Sequence, residues 1–199
     1  MTADGKLAGR RRRQIRISSP EDLERVRALR ASSDAILVGI GTILSDDPHL
    51  TLKGDGKNPI RVVLDSRGRT PENARVLNGE APTIIATSED CDREWINADV
   101  IRTGRNRVDL KGLLVSLYDR GVRNLLVEGG GEVVWSFFEA DFVDEYSVFV
   151  GGLIVGGRTA PTPVDGEGFE DEEAPHLRLK GCERLGDGVL LTYEVDGHG

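Results

Sequence analysis

Three observations place this chain among α/β folds with a mostly parallel sheet. Short apolar runs of strand length, bounded by glycine, proline and aspartate, alternate with stretches of helical periodicity from Asp34 to Val150. Strands alternating with helices give a mostly parallel sheet wrapped on both faces. Near the C-terminus a Gly186-Asp187-Gly188 turn accompanies two closing strands, which points to antiparallel C-terminal strands. The 199 residues suffice for one domain with a real core, and no internal repeat is visible, so the expectation is a single domain over 1–199.

The elements follow in order. Ser18-Ser19-Pro20-Glu21-Asp22 opens a helix: hydroxyl caps, proline in the first turn, then acids. It runs to about Ala31 with an apolar stripe of Leu23, Val26 and Leu29. Arg30 falls on that stripe, and an inward arginine needs an anion or a carboxylate. Asp34–Ile40 reads as a buried strand ending in Gly39 and Gly41, followed by a loop through Asp46-Asp47-Pro48. Ile60–Asp65, Pro82–Thr87 and Asp99–Arg102 are further strands, with a weak helical stretch between the last two. Asp109 caps a helix carrying Leu110, Leu113, Leu114 and Leu117, closed by Gly121. Asn124–Val127 is a strand that runs into Glu128-Gly129-Gly130-Gly131, and residues 132–139 form a helix. Val143–Val150 is a strand. A Gly/Pro/acid segment, 151–175, separates it from strands at His176–Leu179 and Val189–Val195.

Charge and composition exclude several functions. Lys plus Arg is 26 against 34 Asp plus Glu, a balance of −8, and so acidic a surface repels phosphate backbones; no nucleic-acid partner is expected. The Arg10-Arg11-Arg12-Arg13 run is a local exception, read as a solvated loop or a phosphate-facing edge. Cys91 and Cys182 are far apart without a CxxC, and His49, His176 and His198 have no ligand spacing, so no protein-bound metal is expected. No apolar run reaches membrane-spanning length and no signal-like start is present, which gives the expectation of a cytoplasmic protein with no membrane partner.

Three strand ends carry candidate chemistry. In LLVEGGGEVVW, glycines after a buried strand let a backbone approach a diphosphate, and the following helix start supplies unpaired N–H groups. GGG is also a plain tight turn, and Glu128 beside it is also a surface carboxylate. In Val38-Gly39-Ile40-Gly41-Thr42 a strand leads through glycines to a hydroxyl, with the Asp46 carboxylate four residues on. That pair suits a nicotinamide or ribose and a proton; its plain alternative is an Asp-Asp-Pro turn. Leu64-Asp65-Ser66-Arg67 lies where dinucleotide folds meet the adenosine ribose, and Ser with Arg there favours a 2′-phosphate, or else a solvated loop.

Together these segments resemble one family, the riboflavin-pathway reductases of the RibD C-terminal type, related in fold to dihydrofolate reductase. The residues that carry the resemblance are Asp4-Gly5-Lys6-Leu7-Ala8, Ile17-Ser18-Ser19, Leu29-Arg30-Ala31, VGIGTILSDDPHLTLK (38–53), VVLDS (62–66), LLVEGGG (125–131) and APTPVDGEGF (160–169). The similarity is to the archaeal and fungal type, in which the reductase stands alone; no HxE or PCxxC deaminase signature is present. The resemblance implies NADPH, with NADH the alternative, held by Thr42, Asp46, Ser66, Val108, Gly130, Gly131, Glu132 and Val133. It implies a phosphorylated ribosylamino-pyrimidine on Lys6, Ser18, Arg30, Leu50, Lys53 and Glu128, with Arg30 and Lys53 toward the phosphate. Lys53 stands where the family often has arginine, a point charge in place of a fork. Glu132 stands where Thr or a small residue is common, so a cofactor contact there requires its charge to point outward.

The implied reaction reduces 2,5-diamino-6-ribosylamino-4(3H)-pyrimidinone 5′-phosphate to its ribitylamino counterpart. Asp46 and Glu128 are the candidates for proton supply or for polarising the opened sugar, and Lys6 with Ser18 for holding the ribose. The resemblance also implies a homodimer. The family has an apolar strand just ahead of the DGK motif, and this sequence begins inside that motif, so that strand is expected to be missing. Two rivals share parts of the pattern. A dihydrofolate-reductase-like enzyme needs an apolar pterin pocket with a buried acid, against which Lys6, Arg30 and Lys53 argue; a non-catalytic nucleotide-binding regulatory domain keeps the glycine turns without turnover.

Overall fold

The computed structural model describes residues 1–9, 15–52, 56–170 and 172–196. The Arg10–Arg13 run, Lys53 and His198 lie outside the described residues. The chain divides into two compact units, one of Arg27–Gly130 and one of Met1–Val26 with Gly131–Gly199. Helix α1 (Pro20–Ser32) carries the chain from the second of these into the first.

The Arg27–Gly130 unit is built on a five-stranded parallel sheet of β1 (Ala35–Gly39), β2 (Ile60–Leu64), β3 (Thr83–Thr87), β4 (Asp99–Arg102) and β5 (Leu125–Val127), in the order β4-β3-β2-β1-β5. Every residue of β1 and β3 is buried, which is why both read as unbroken apolar runs instead of alternating ones. Ile36, Val38, Val63 and Ile85 project from the strands into a core closed by Ile40, Ile43, Leu50, Val76 and Trp95. Truncating a fully buried member such as Ile36 to Ala costs about 2–5 kcal/mol.

The register sets the carboxyl ends level. Gly39 lies opposite Leu64, Leu64 opposite Ala86, and Thr87 opposite Arg102, while Leu37 lies opposite Val127. From β1 to β4 each new strand is added on one side; the chain then returns to place β5 on the other side of β1. The order of addition reverses at β1, and in such sheets the ligand crevice opens at the switch point.

Several expectations need correction here. β1 ends at Gly39, and Ile40–Asp46 is a helix, α2, where a loop was expected. Ile40 and Ile43 are buried on one side of it, so their burial had merged with the apolar strand before them. No helix forms between β3 and β4. Arg102 instead captures the carbonyls of Cys91 and Arg93 through Nε (2.8 Å) and Nη2 (2.9 Å), and Trp95 pairs with Ala98 across a tight turn. The expected inward stripe of α1 is not buried either: Leu23 is 39% exposed, Val26 and Leu29 are half-buried, and the buried residue of the helix is Asp22. Helix α3 (Leu110–Asp119) matches its signals, with the Asp109 carboxylate accepting from the N–H groups of Lys111 and Gly112 and with Leu110, Leu113 and Leu117 buried.

The other unit holds a three-stranded antiparallel sheet, β6 (Glu145–Val150), β7 (Leu177–Leu185) and β8 (Gly188–Val195), in the order β6-β8-β7. The closing strands are antiparallel as expected, but they form their own sheet with β6 and β7 runs on to Leu185. Helix α4 (Gly131–Glu139) buries Val133, Trp135, Phe137 and Phe138. The chain start is tied to the segment after β6: Thr2 bridges Gly151, and the Ala3 N–H donates to the Leu153 carbonyl at 2.9 Å. Among the described residues no helix is long and apolar enough to cross a membrane.

Candidate active site

In the parallel-sheet unit the candidate residues gather at the carboxyl edge. The Glu128 N–H donates to the Leu37 carbonyl (2.9 Å) and the Gly39 N–H to the Gly129 carbonyl (3.2 Å), so the exits of β1 and β5 are bonded side by side. Gly129 and Gly130 take φ of +109° and +65°, conformations costly for any other residue, and a Cβ added at either would meet nothing within 4 Å. The backbone there is bare and faces open space. Thr42 and Asp46 follow the Gly39 exit on α2, four residues apart and hence on one side of that helix. Thr42 is half-buried and Asp46 exposed.

The exit of β2 is organised by a buried acid. Asp65 is wholly buried, and its Oδ2 accepts from both the N–H and the hydroxyl of Thr70 at 2.7 Å, which pins the 65–70 turn. Asp65 Oδ1 has no hydrogen-bond partner among the described residues. With the acid turned inward, Ser66 is left at the surface of the turn, and its Oγ accepts from the Val108 N–H at 3.1 Å. Ser66 and Val108, 42 residues apart, are thus brought into contact, with Val108 buried and Arg67 exposed.

Arg30 finds the partner that its position on α1 demanded, and it is Glu128. Nε and Nη2 donate to Oε1 and Oε2 at 2.6 and 2.5 Å, a two-pronged pair between side chains only 26% and 17% exposed. The hydrogen bonds to Glu128 raise the Arg30 pKa above its ordinary value. Leu50, at φ +51°, is buried in the core, so only its backbone and edges can meet a ligand. Sequence reasoning passed over Arg61, an arginine inside the apolar run IRVVL. It is fully buried, and its guanidinium donates to Thr83 Oγ1 (2.9 Å), Asn78 Oδ1 (3.0 Å) and the carbonyls of Ala81 (2.6 Å) and His49 (3.3 Å). A cation in a buried strand was the available signal. Through His49 it fixes the corner just ahead of Leu50.

Lys6, Ser18, Gly131, Glu132 and Val133 belong to the other unit. Lys6 is half-buried in a tight loop: the Thr2 N–H donates to its carbonyl and its own N–H to Thr2 Oγ1, each at 2.8 Å. Asp4 anchors that loop, accepting from the Thr2 hydroxyl (2.6 Å) and from the N–H groups of Val155 (3.2 Å) and Gly156 (2.6 Å). These bonds, the Thr2 hydroxyl foremost, hold its pKa at about 2. The helix cap is Ser19, whose Oγ accepts from the Asp22 N–H at 3.2 Å; Ser18 precedes it. Gly131 is needed for space and not for φ, because a Cβ there would lie 2.5 Å from both the Thr162 carbonyl and Asp165 Oδ2. Glu132 is exposed and Val133 buried. A cleft of about 560 Å³ along α4 is lined by Glu132, Trp135, Arg158, Asp165 and Phe169, a feature the sequence reading did not single out.

The donor set at the carboxyl edge, bare glycine backbone with a threonine hydroxyl, a serine and arginine, fits a dinucleotide. The fold defines an α/β protein with a parallel sheet, the class in which ligand crevices open at the switch point. Comparison with known proteins narrows this. The family described as the RibD C-terminal domain matches residues 1–191, and the chain belongs to it. It is 45% identical over 205 residues to the 2,5-diamino-6-ribosylamino-4(3H)-pyrimidinone 5′-phosphate reductase of Archaeoglobus fulgidus, covering 95% of this chain and 92% of that one. With the reductase of the same name from Methanothermobacter thermautotrophicus the identity is 44%, over 99% and 95% of the two chains. Among solved structures, a diaminohydroxyphosphoribosylaminopyrimidine deaminase/5-amino-6-(5-phosphoribosylamino)uracil reductase from Thermotoga maritima superposes with a TM-score of 0.85 at 27% identity, over 98% of this chain and 54% of that one.

Proposed function

We propose that this protein is an NADPH-dependent reductase of riboflavin biosynthesis that converts 2,5-diamino-6-ribosylamino-4(3H)-pyrimidinone 5′-phosphate to its ribitylamino product. The observation that carries the reading is 44–45% identity, over nearly the whole chain, to two archaeal reductases of that name. The bonded exits of β1 and β5 support it by supplying the bare backbone that a dinucleotide needs.

In this reading Thr42, Asp46, Ser66, Val108, Gly130, Gly131, Glu132 and Val133 hold the cofactor, which when bound supplies the hydride. Lys6 and Ser18 hold the sugar, and Leu50, Arg30, Lys53 and Glu128 complete the substrate side. Asp46, exposed at the end of α2, is assigned the proton-transfer role in this reading. NADPH is favoured over NADH by Asp65. An acid at this position that reached outward would take a 2′-hydroxyl, whereas here it is wholly buried and bound to Thr70, leaving Ser66 with the exposed Arg67 for a 2′-phosphate.

The proposal extends to a single functional domain acting as a cytoplasmic homodimer with no nucleic-acid partner. Strand β7 supports the dimer, since it is an edge strand exposed along most of its length with Leu177 and Leu179 at 38% and 55% exposure. The net charge of −8 argues against nucleic acid. The test is NADPH oxidation with the ribosylamino phosphate against dihydrofolate. Oxidation with the first alone is the expected result. Preference for dihydrofolate, or binding without oxidation of either, would overturn the assignment.

A further inference from the structure

The Arg30–Glu128 pair sharpens the division of labour at the site, and the argument rests on the reductase reading above. Glu128 leaves β5 with its N–H fixed on the Leu37 carbonyl at 2.9 Å, while the next residue, Gly129, accepts from Gly39. Arg30 sits in the last turn of α1, and the chain just after it is also anchored on the sheet. Asp34 accepts from the N–H groups of Arg123 (2.8 Å) and Asn124 (2.9 Å), which ties the start of β1 to the start of β5. Both ends of the pair are therefore mounted on β1. Neither side chain has to search for the other, although they are 98 residues apart in sequence.

The chemistry of the pair follows from its geometry. Both Glu128 oxygens accept from the guanidinium, which holds the carboxylate as an acceptor. The guanidinium spends the Nε–Nη2 edge on Glu128, and among the described residues its Nη1 meets no hydrogen-bond acceptor. A carboxylate held in this manner keeps its remaining lone pairs in a set direction at the carboxyl end of β5.

We propose that Arg30 is a positioning residue, holding Glu128 as a fixed hydrogen-bond acceptor for the substrate and leaving proton supply to Asp46. An arginine that serves only the substrate's phosphate acts on the ligand directly and owes nothing to Glu128. An arginine that positions Glu128 acts through it, and the two losses are then the same loss.

A double-substitution cycle separates these cases. Arg30→Met and Glu128→Gln are each expected to lower kcat by about tenfold to a hundredfold, with the KM for NADPH moved less than about threefold. The double variant is expected within about threefold of the poorer single one. Arg30→Lys, which keeps the charge and loses the fork, is expected to behave as Arg30→Met in kcat. Effects that multiply in the double variant, or an Arg30→Lys whose loss is confined to substrate KM, would overturn the proposal. The same four proteins are melted without ligands. A double variant that melts no lower than Arg30→Met alone supports the pair in solution, and one whose losses add refutes it. A wild-type protein without turnover would sink the reductase reading, whereas the melting cycle judges the pair independently of turnover.

Discussion

Replacing Arg61 by Met keeps an unbranched apolar stem in β2 and removes a guanidinium that, among the described residues, no carboxylate neutralises by direct contact. Burial pushes the Arg61 pKa down, with Glu80 opposing from a distance. Three of its bonds are well formed, to Ala81 O at 2.6 Å, Thr83 Oγ1 at 2.9 Å and Asn78 Oδ1 at 3.0 Å, while those to His49 O and Arg75 O are longer at 3.3 and 3.5 Å. A charge-assisted bond contributes about 1.5–3 kcal/mol, so three lose roughly 5–9 kcal/mol. Removing the buried charge returns several kcal/mol of desolvation cost. Thr83 keeps its bond to Val76 O, and Asn78 Oδ1 keeps the Glu80 N–H, so neither acceptor is wholly stranded. The net loss comes to about 2–4 kcal/mol, which for a chain of this size lowers the melting temperature by roughly 5–15 °C. Thermal unfolding followed by circular dichroism measures it. Arg61→Lys should recover little, because one ammonium cannot span acceptors set around a planar fork. A Met variant melting within about 2 °C of wild type would refute the reasoning, since it would mean that the buried cation costs as much as its hydrogen bonds return.

Other expectations are simpler. Asp46→Asn should cut kcat by about a hundredfold or more while NADPH affinity, read by fluorescence, changes little, and near-normal turnover would remove Asp46 from the chemistry. Gly131→Ala puts a methyl group 2.5 Å from the Thr162 carbonyl and should destabilise by about 1–3 kcal/mol in urea unfolding, an effect absent from Ala substitution at the open, φ-positive Gly156 beyond its backbone strain. For Asp4 the sign follows from its depressed pKa, about 2 in the folded chain against the ordinary 3.8. Its contribution is fully present above the unfolded value and is lost as pH falls toward the folded one. The stability gap between wild type and Asp4→Asn should therefore hold steady above about pH 5 and shrink between about pH 4 and 2, and a gap independent of pH would show that the carboxylate does not anchor the Lys6 loop.

The parallel strands were legible because burial on both faces leaves unbroken apolar runs such as Ala35–Gly39 and Thr83–Thr87. Helix α3 was legible because Asp109 and Gly121 punctuate it. Helix α2 was not: Gly39 caps it without a side chain, Gly41 and Thr42 are poor helix formers, and Ile40 and Ile43 extend the apolar run of β1. The glycine turn after β5 was visible, but its bond to Gly39 depends on strand order, which periodicity does not carry. Arg30 announced its need for a partner, and only the fold could choose Glu128 over a ligand anion. The inward turn of Asp65, on which the cofactor preference rests, is likewise invisible in Leu64-Asp65-Ser66-Arg67.

Hydrogen–deuterium exchange on addition of NADP⁺ addresses the strand-end crevice most directly. Protection is expected together in peptides spanning 39–46, 66–70 and 128–131. NADP⁺ binding that leaves those three segments unprotected, or that protects only one of them, would contradict a single dinucleotide site at the carboxyl edge of this sheet.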